Sequence, residues 1–426
     1  MSTRLIECLA ATEALSAIFS DESVLQAMLD FEAALARAGA RLRLIPDEAA
    51  RAIETAAIAP GFDMEELKRR SLRAGTPAIP LLKMLTERVR AANPGAEEFV
   101  HRGATSQDVT DTALILLLSR CRSVLARDHG RLSIALTRLS HDHAQTAMLG
   151  RTLLQPAPPV TFGLKAAGWF GASARSWMKI DKAFDEALCL QFGGASGTLA
   201  ALGDFGIAVS DALAEELRLT CPDAPWHPYR DRLAGLMAAL GIYAASLGKM
   251  ALDVALLMQF EVGEVAEPGG DGRGGSSAMP QKKNPTACML ALSSAKSIPG
   301  LVADFLTAMV QEHERALGGW QSEWATIARI VQATGVALES MVEVAEGLTI
   351  DAARMRENLE RTNGSVFAEK AMMSLAREMG RGTARLAVEE SIRQTGSPPD
   401  LPGLRDPDGY LGSAELFRIR LLRGIQ

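Results

Sequence analysis

Twelve consecutive residues, GGSSAMPQKKNP at 274–285, hold the side chains of this chain best suited to chemistry. Gly269, Gly270, Gly272, Gly274 and Gly275 leave the backbone free to hinge, as a lid over a reacting group must. Asn284 followed by Pro285 predicts a helix N-cap and its first helical residue. The N–H groups of that helix end and the Lys282 ammonium would then face one small volume, a place for an anion. Ser276 stands beside these positive elements, where a hydroxyl is acidified enough to carry a proton. Composition alone favours a solvated glycine-rich linker.

Two further segments carry polar groups at positions that chemistry would use. In FVHRGATSQDVTDTA, residues 99–113, Thr105 precedes an acid by three positions, the pattern of a helix start. Thr105 and Ser106 are then either carboxylate ligands at a helix N-terminus or plain caps, and His101 stands just before them. The other segment is GRTLLQPAPPVTFG at 150–163, which offers Arg151 and Thr152. His141 and His143, two residues apart, suit no metal site on a helix, so no metal is expected. His129 and His227 read as structural or surface residues. Arg273 either reaches the substrate when the lid closes or is solvated. Methionines such as Met279 read as core filler.

Long helices must position these groups. Residues 105–147 contain one glycine and no proline, which predicts a helix of roughly 60 Å at 1.5 Å per residue. Comparable helices are expected at 161–190, 231–265, 285–312 and 320–347, after a shorter amphipathic one over 21–42. The expectation is an all-α chain with an elongated central bundle over 105–349. Smaller helical domains flank it, at 1–104 and 350–426. Bundle helices so rich in Leu, Ala and Met need several subunits to bury them.

The bulk numbers agree with a folded soluble protein. The 426 residues are 48% hydrophobic and 23% charged, and a net charge of −6 speaks against a nucleic-acid partner. Five scattered cysteines suggest reduced thiols in a cytoplasm, and the N-terminus reads as no signal peptide. The apolar window 233–248 is read as a buried helix, not a membrane span.

Taken in order, the three segments resemble the three signature regions of the fumarase/aspartase superfamily. The resemblance implies a homotetramer whose sites are each shared between subunits. It also implies roles: Ser276 moves the proton at the carbon α to a carboxylate. Lys282 and Asn284 hold that carboxylate, and Thr105, Ser106, Thr152 and His101 complete the site. Members that release hydroxide or an amine read Arg-Thr-His in the second region, the histidine serving the leaving group. Here Leu153 replaces it. A carboxylate, with a pKa near 4, attacks and leaves without a proton. QFGGASGTLAALGD (191–204), PWHPYRDR (225–232) and QEHERALGGWQSEW (311–324) resemble the lactonising branch of the superfamily. That branch closes 3-carboxy-cis,cis-muconate, a small tricarboxylate, to 4-carboxymuconolactone in protocatechuate breakdown, without a cofactor. It commonly has tryptophan where this chain has Leu153. Arg315 is then expected on a second substrate carboxylate. The rivals are an eliminating adenylosuccinate or argininosuccinate lyase, and a silent protein on the same scaffold. Leu153 argues against the first, and the intact Ser276, Lys282 and Asn284 argue against the second.

Overall fold

The computed structural model describes residues 5–270, 273–275, 278–279 and 281–423. Among them are fifteen α-helices and two two-stranded antiparallel sheets, so the fold is all-α as expected. The first elements are α1 (Glu13–Ile18), α2 (Asp21–Arg41), α3 (Asp47–Ala56), α4 (Met64–Ala74) and α5 (Ala78–Ala92). The long α6 (Ser106–Asp142) leads into a hairpin of β1 (Ala147–Thr152) and β2 (Gln155–Thr161). Then come α7 (Phe162–Ala187), α8 (Gly206–Leu217), α9 (Asp231–Leu257), β3 (Val265–Ala266), α10 (Thr286–Ala308), α11 (Gly319–Gly347) and β4 (Thr349–Ile350). The chain ends in α12 (Ala352–Glu360), α13 (Ala368–Met379), α14 (Arg381–Thr395) and α15 (Ala414–Arg423).

The chain divides into two compact units. The first takes residues 1–127, 178–244 and 294–336. Its core centres on α2, whose start is set by the Ser20 hydroxyl accepting from Ser23 N–H at 3.3 Å. Leu25, Leu29, Phe31 and Leu35 of α2 are buried in that core, and the Phe31 ring lies 6.4 Å from that of Phe192. The second unit takes residues 128–177, 245–293 and 337–426. There Leu149 of β1 packs with Leu359, Phe367 and Val388.

Two of the expected long helices end early. Helix α6 stops at Asp142 because the chain turns at 143–146 into the hairpin, which the scattered prolines of β2 had hidden. Gly150 allows the hairpin to close: a Cβ there would lie 2.2 Å from the Pro158 carbonyl oxygen. Helix α9 stops at Leu257, where the backbone turns through Gly263 at φ 61° into β3. Helices α9 and α10 are long and apolar enough to cross a membrane by length and composition, with half and a third of those windows buried.

His129 bears out a structural role. It is 8% exposed and stacks on Trp177 at 4.7 Å, and burial pushes its pKa down to about 4. A depressed folded value stabilises the fold above the unfolded pKa of 6.5, and that stability is lost as pH falls towards 4. Replacing His129 with glutamine is therefore expected to flatten the acid side of the stability curve by up to about 3 kcal/mol. Urea titrations of both proteins at pH 7 and pH 4.5 measure this, and parallel losses would refute it.

Candidate active site

In the first unit the site grows from the N-terminus of α6. Thr105 N–H donates to Asp108 Oδ2 at 2.9 Å, the cap that the sequence pattern predicts. Asp108 is fully buried and does more than cap. It accepts from Gly193 N–H at 3.0 Å, from Gly194 N–H at 2.9 Å, and pairs with His227 Nε2 at 2.7 Å. One carboxylate thus joins the helix start to the loops around 193 and 227. Gly194, at φ 69°, permits this, since a Cβ there would sit 2.8 Å from the Gly103 carbonyl oxygen.

One turn further along α6, Asp111 lies in a buried ionic cluster. Arg230 donates to it through Nη1 at 2.7 Å and Nη2 at 3.1 Å, and also binds Glu323, with Nη2 to Oε2 at 2.6 Å. All three side chains are fully buried. Trp226 lies under the guanidinium at 4.7 Å, and Trp320 Nε1 donates to Asp111 at 3.1 Å. Burial pushes the Glu323 carboxyl up to about 7 despite Arg230, with Asp111 adding to the rise. Gln107 carries this cluster to the helix start: its Nε2 donates to Asp111, and its Oε1 accepts from Arg315 Nε at 3.1 Å.

Arg315 lies at the same helix start. Its Nη1 donates to the Thr105 hydroxyl at 3.2 Å, and its Nη2 to the carbonyls of Gly194 and Ala195 at 3.3 and 3.2 Å. Most of its donors thus have acceptors within the protein. The Ser106 hydroxyl has no partner among the described residues. His101 Nδ1 lies 2.8 Å from Glu32 Oε1. Burial opposes its protonation, but the charges of Glu32 and Asp108 win and raise its pKa.

The second unit holds Thr152, Lys282 and Asn284. Helix α10 begins at Thr286, one residue later than expected, and its N-terminus is not open. Glu267 fills it, accepting from Ala287 N–H at 3.0 Å and Cys288 N–H at 2.8 Å. The anion seat read from the sequence is therefore occupied by the protein's own carboxylate. Asn284 does not cap; its Nδ2 donates to the Gly275 carbonyl at 3.3 Å, and its N–H to the Gly274 carbonyl at 2.8 Å, which ties Gly274 and Gly275 to the start of α10. Arg273 is ion-paired with Glu343, and Met279 is exposed, not core. Lys282 is exposed and without an acceptor among the described residues, and Ser276 lies outside the described residues.

Arg151 anchors the hairpin by a bidentate pair with fully buried Glu264, at 2.6 and 3.0 Å, and Asn358 Nδ2 also donates to Glu264 at 2.8 Å. Thr152 pairs with Gln155 across a two-residue turn made by Leu153 and Leu154. Both have positive φ, 51° and 64°, and they are 97% and 76% exposed. Turns of this kind favour Asn and Gly, so two leucines are costly there unless something else uses them.

Asp108, Asp111, Arg230, Glu323 and Glu267 escape a reading that looks for free reactive groups. Their only signal is charge in apolar surroundings, such as acids three residues apart on one face of α6. Among the described residues no three His, Cys, Asp or Glu side chains gather as metal ligands.

A family model for lyases matches residues 7–300. This chain belongs to the fumarase/aspartase lyase family. It is 44% identical to a 3-carboxy-cis,cis-muconate cycloisomerase of Bradyrhizobium diazoefficiens over the whole of both chains. It is 38% identical to a nitrosuccinate lyase of Streptomyces davaonensis, covering 93% of this chain and 90% of the other. The crystal structure of 3-carboxy-cis,cis-muconate lactonizing enzyme from Pseudomonas putida superposes with a TM-score of 0.94 at 43% identity, over 99% of this chain and 98% of that one. The lyase-family segments thus fall on a helix start with the loops bonded to it, a hairpin tip, and a stretch before α10 in which Asn284 bonds back to Gly274 and Gly275. Enzymes of this family act on small molecules and are generally oligomeric.

Proposed function

We propose that this lyase-family chain is a soluble, cytoplasmic cycloisomerase that closes 3-carboxy-cis,cis-muconate to 4-carboxymuconolactone. The observation that carries this reading is its 44% identity over full length to an enzyme of that name. Leu153 supports it at the level of chemistry. The hairpin tip that bears a proton donor in eliminating members of the family bears an apolar side chain here, which suits a carboxylate nucleophile that needs no proton.

In this reading one terminal carboxylate oxygen bonds to the nearer carbon of the remote double bond, which closes a five-membered ring. The electron pair moves onto the carboxylate conjugated with that bond, which Lys282 and Asn284 hold, and Ser276 gives a proton to the α-carbon. Thr152 and the Ser106 hydroxyl bind the remaining carboxylates, with the positive end of α6 behind Ser106. Arg315 and His101 act from behind, by bracing Thr105 and by adding positive charge. The residues combine as a homotetramer with sites shared between subunits. The exposed Leu153 and Leu154, together with exposed Ile134, Met178, Ile242, Leu252 and Met289 on the long helices, support that assembly. Light scattering at micromolar concentration is expected to give four times 45.4 kDa, and a stable monomer would overturn the shared site.

The decisive assay follows loss of the conjugated diene by ultraviolet absorbance when 3-carboxy-cis,cis-muconate meets the protein. Adenylosuccinate, argininosuccinate and nitrosuccinate serve as control substrates and are expected to be inert. Leu153→His is expected to leave lactonisation unchanged or lower, because histidine has nothing to protonate when the attacking and leaving group is a carboxylate. A rise above about tenfold, or 1.4 kcal/mol of barrier, would sink the argument from Leu153.

A further inference from the structure

Helices α7 and α9 flank an open groove of about 460 Å³ in the second unit, within the ~300–1,000 Å³ range of small-molecule sites. Val160, Leu164, Trp169 and Ala172 supply apolar wall, and Gly168 leaves an opening: a Cβ there would meet nothing within 4 Å. Three charges line it. Asp253 is already engaged, accepting from Trp169 Nε1 at 2.8 Å and pairing with Lys249. Lys165 is half-buried and has no acceptor among the described residues. Burial lowers its pKa, and Lys249 and Arg151 add to the fall against the pull of Asp253 and Glu264. The lining therefore carries one unanswered positive charge. A half-buried ammonium without a counter-ion is costly, and a bound anion would relieve that cost.

We propose that this groove is a second ligand site, which takes a small monocarboxylate with an apolar body. The carboxylate binds Lys165 Nζ, and the body lies against Leu164 and Trp169. A carboxylate fits better than a phosphate, because the excess charge is single and the wall is apolar. The site uses none of the groups assigned to lactonisation, but it requires that the proposed tetramer leave this groove open.

Sodium benzoate is the probe, titrated into the assembled protein by calorimetry. Saturable binding at one site per chain is expected, weakened at least tenfold by Lys165→Met and kept within threefold by Lys165→Arg. Lactonisation by Lys165→Met should stay within twofold of wild type. Trace labelling with acetic anhydride, read by peptide mass spectrometry, adds a local readout. Lys165 should react faster than the exposed lysines and be protected by benzoate, since a bound anion favours the ammonium form. Three results would overturn the proposal: no saturable binding, benzoate affinity unchanged in Lys165→Met, or a Lys165 already unreactive without benzoate because another copy covers it.

Discussion

Replacing Ser276 with alanine is expected to lower kcat for lactonisation by ~10²–10⁴-fold and to leave KM within about threefold. The argument is one of timing. Closing the lactone ring puts negative charge on the conjugated carboxylate, and that charge is discharged only when the α-carbon receives a proton. A serine hydroxyl does this only where positive elements acidify it, and the segment has such an element in exposed Lys282. Gly274 and Asn284 tie the segment to α10, so alanine at 276 should not release the lid. Binding of ground-state carboxylates does not need the hydroxyl, which is why KM should hold. A kcat within tenfold of wild type, or a loss confined to KM, would remove Ser276 from the proton-carrying role.

Replacing Arg230 with methionine is expected to destabilise the protein by about 3–5 kcal/mol at neutral pH. It leaves Asp111 and Glu323 buried and close together with no cation between them, a worse outcome than never having built the cluster. The loss should depend on pH in a definite direction. In the wild type, burial holds the Glu323 carboxyl at about 7, above its unfolded value. A raised carboxylate pKa stabilises the fold fully below the unfolded pKa of about 4.5, and that stability is lost as pH rises through 7. Without the Arg230 charge the carboxyl takes its proton more readily, so the variant should be less impaired at pH 5 than at pH 8. Urea unfolding at both pH values measures this, and an equal or larger loss at pH 5 would contradict it. Lactonisation should fall too, because Gln107 links Asp111 to Arg315 and Thr105.

The sequence by itself determined the helical class, because long stretches free of proline and glycine with 3.6-residue apolar periodicity leave little else to form. It also determined the cap at Thr105, since that device is local: a hydroxyl-bearing residue, then an acid three positions on. The helix expected from about 320 begins at Gly319. The family, and through it the expected reaction, came from three short segments whose order survives without any coordinates.

Only the tertiary structure decided what each polar group is free to do. Glu267 is twenty residues from the helix end it fills, and nothing in the local sequence says that the α10 N–H groups are taken. Arg315 is 210 residues from Thr105, and only the meeting of those segments shows its donors to have acceptors within the protein. The hairpin at 147–161 escaped because prolines mask strand periodicity and because leucines stand where a turn would ordinarily have Asn and Gly. Local signals report a residue's own backbone preferences. Whether a charge is free, paired or buried depends on partners that only the folded chain brings near.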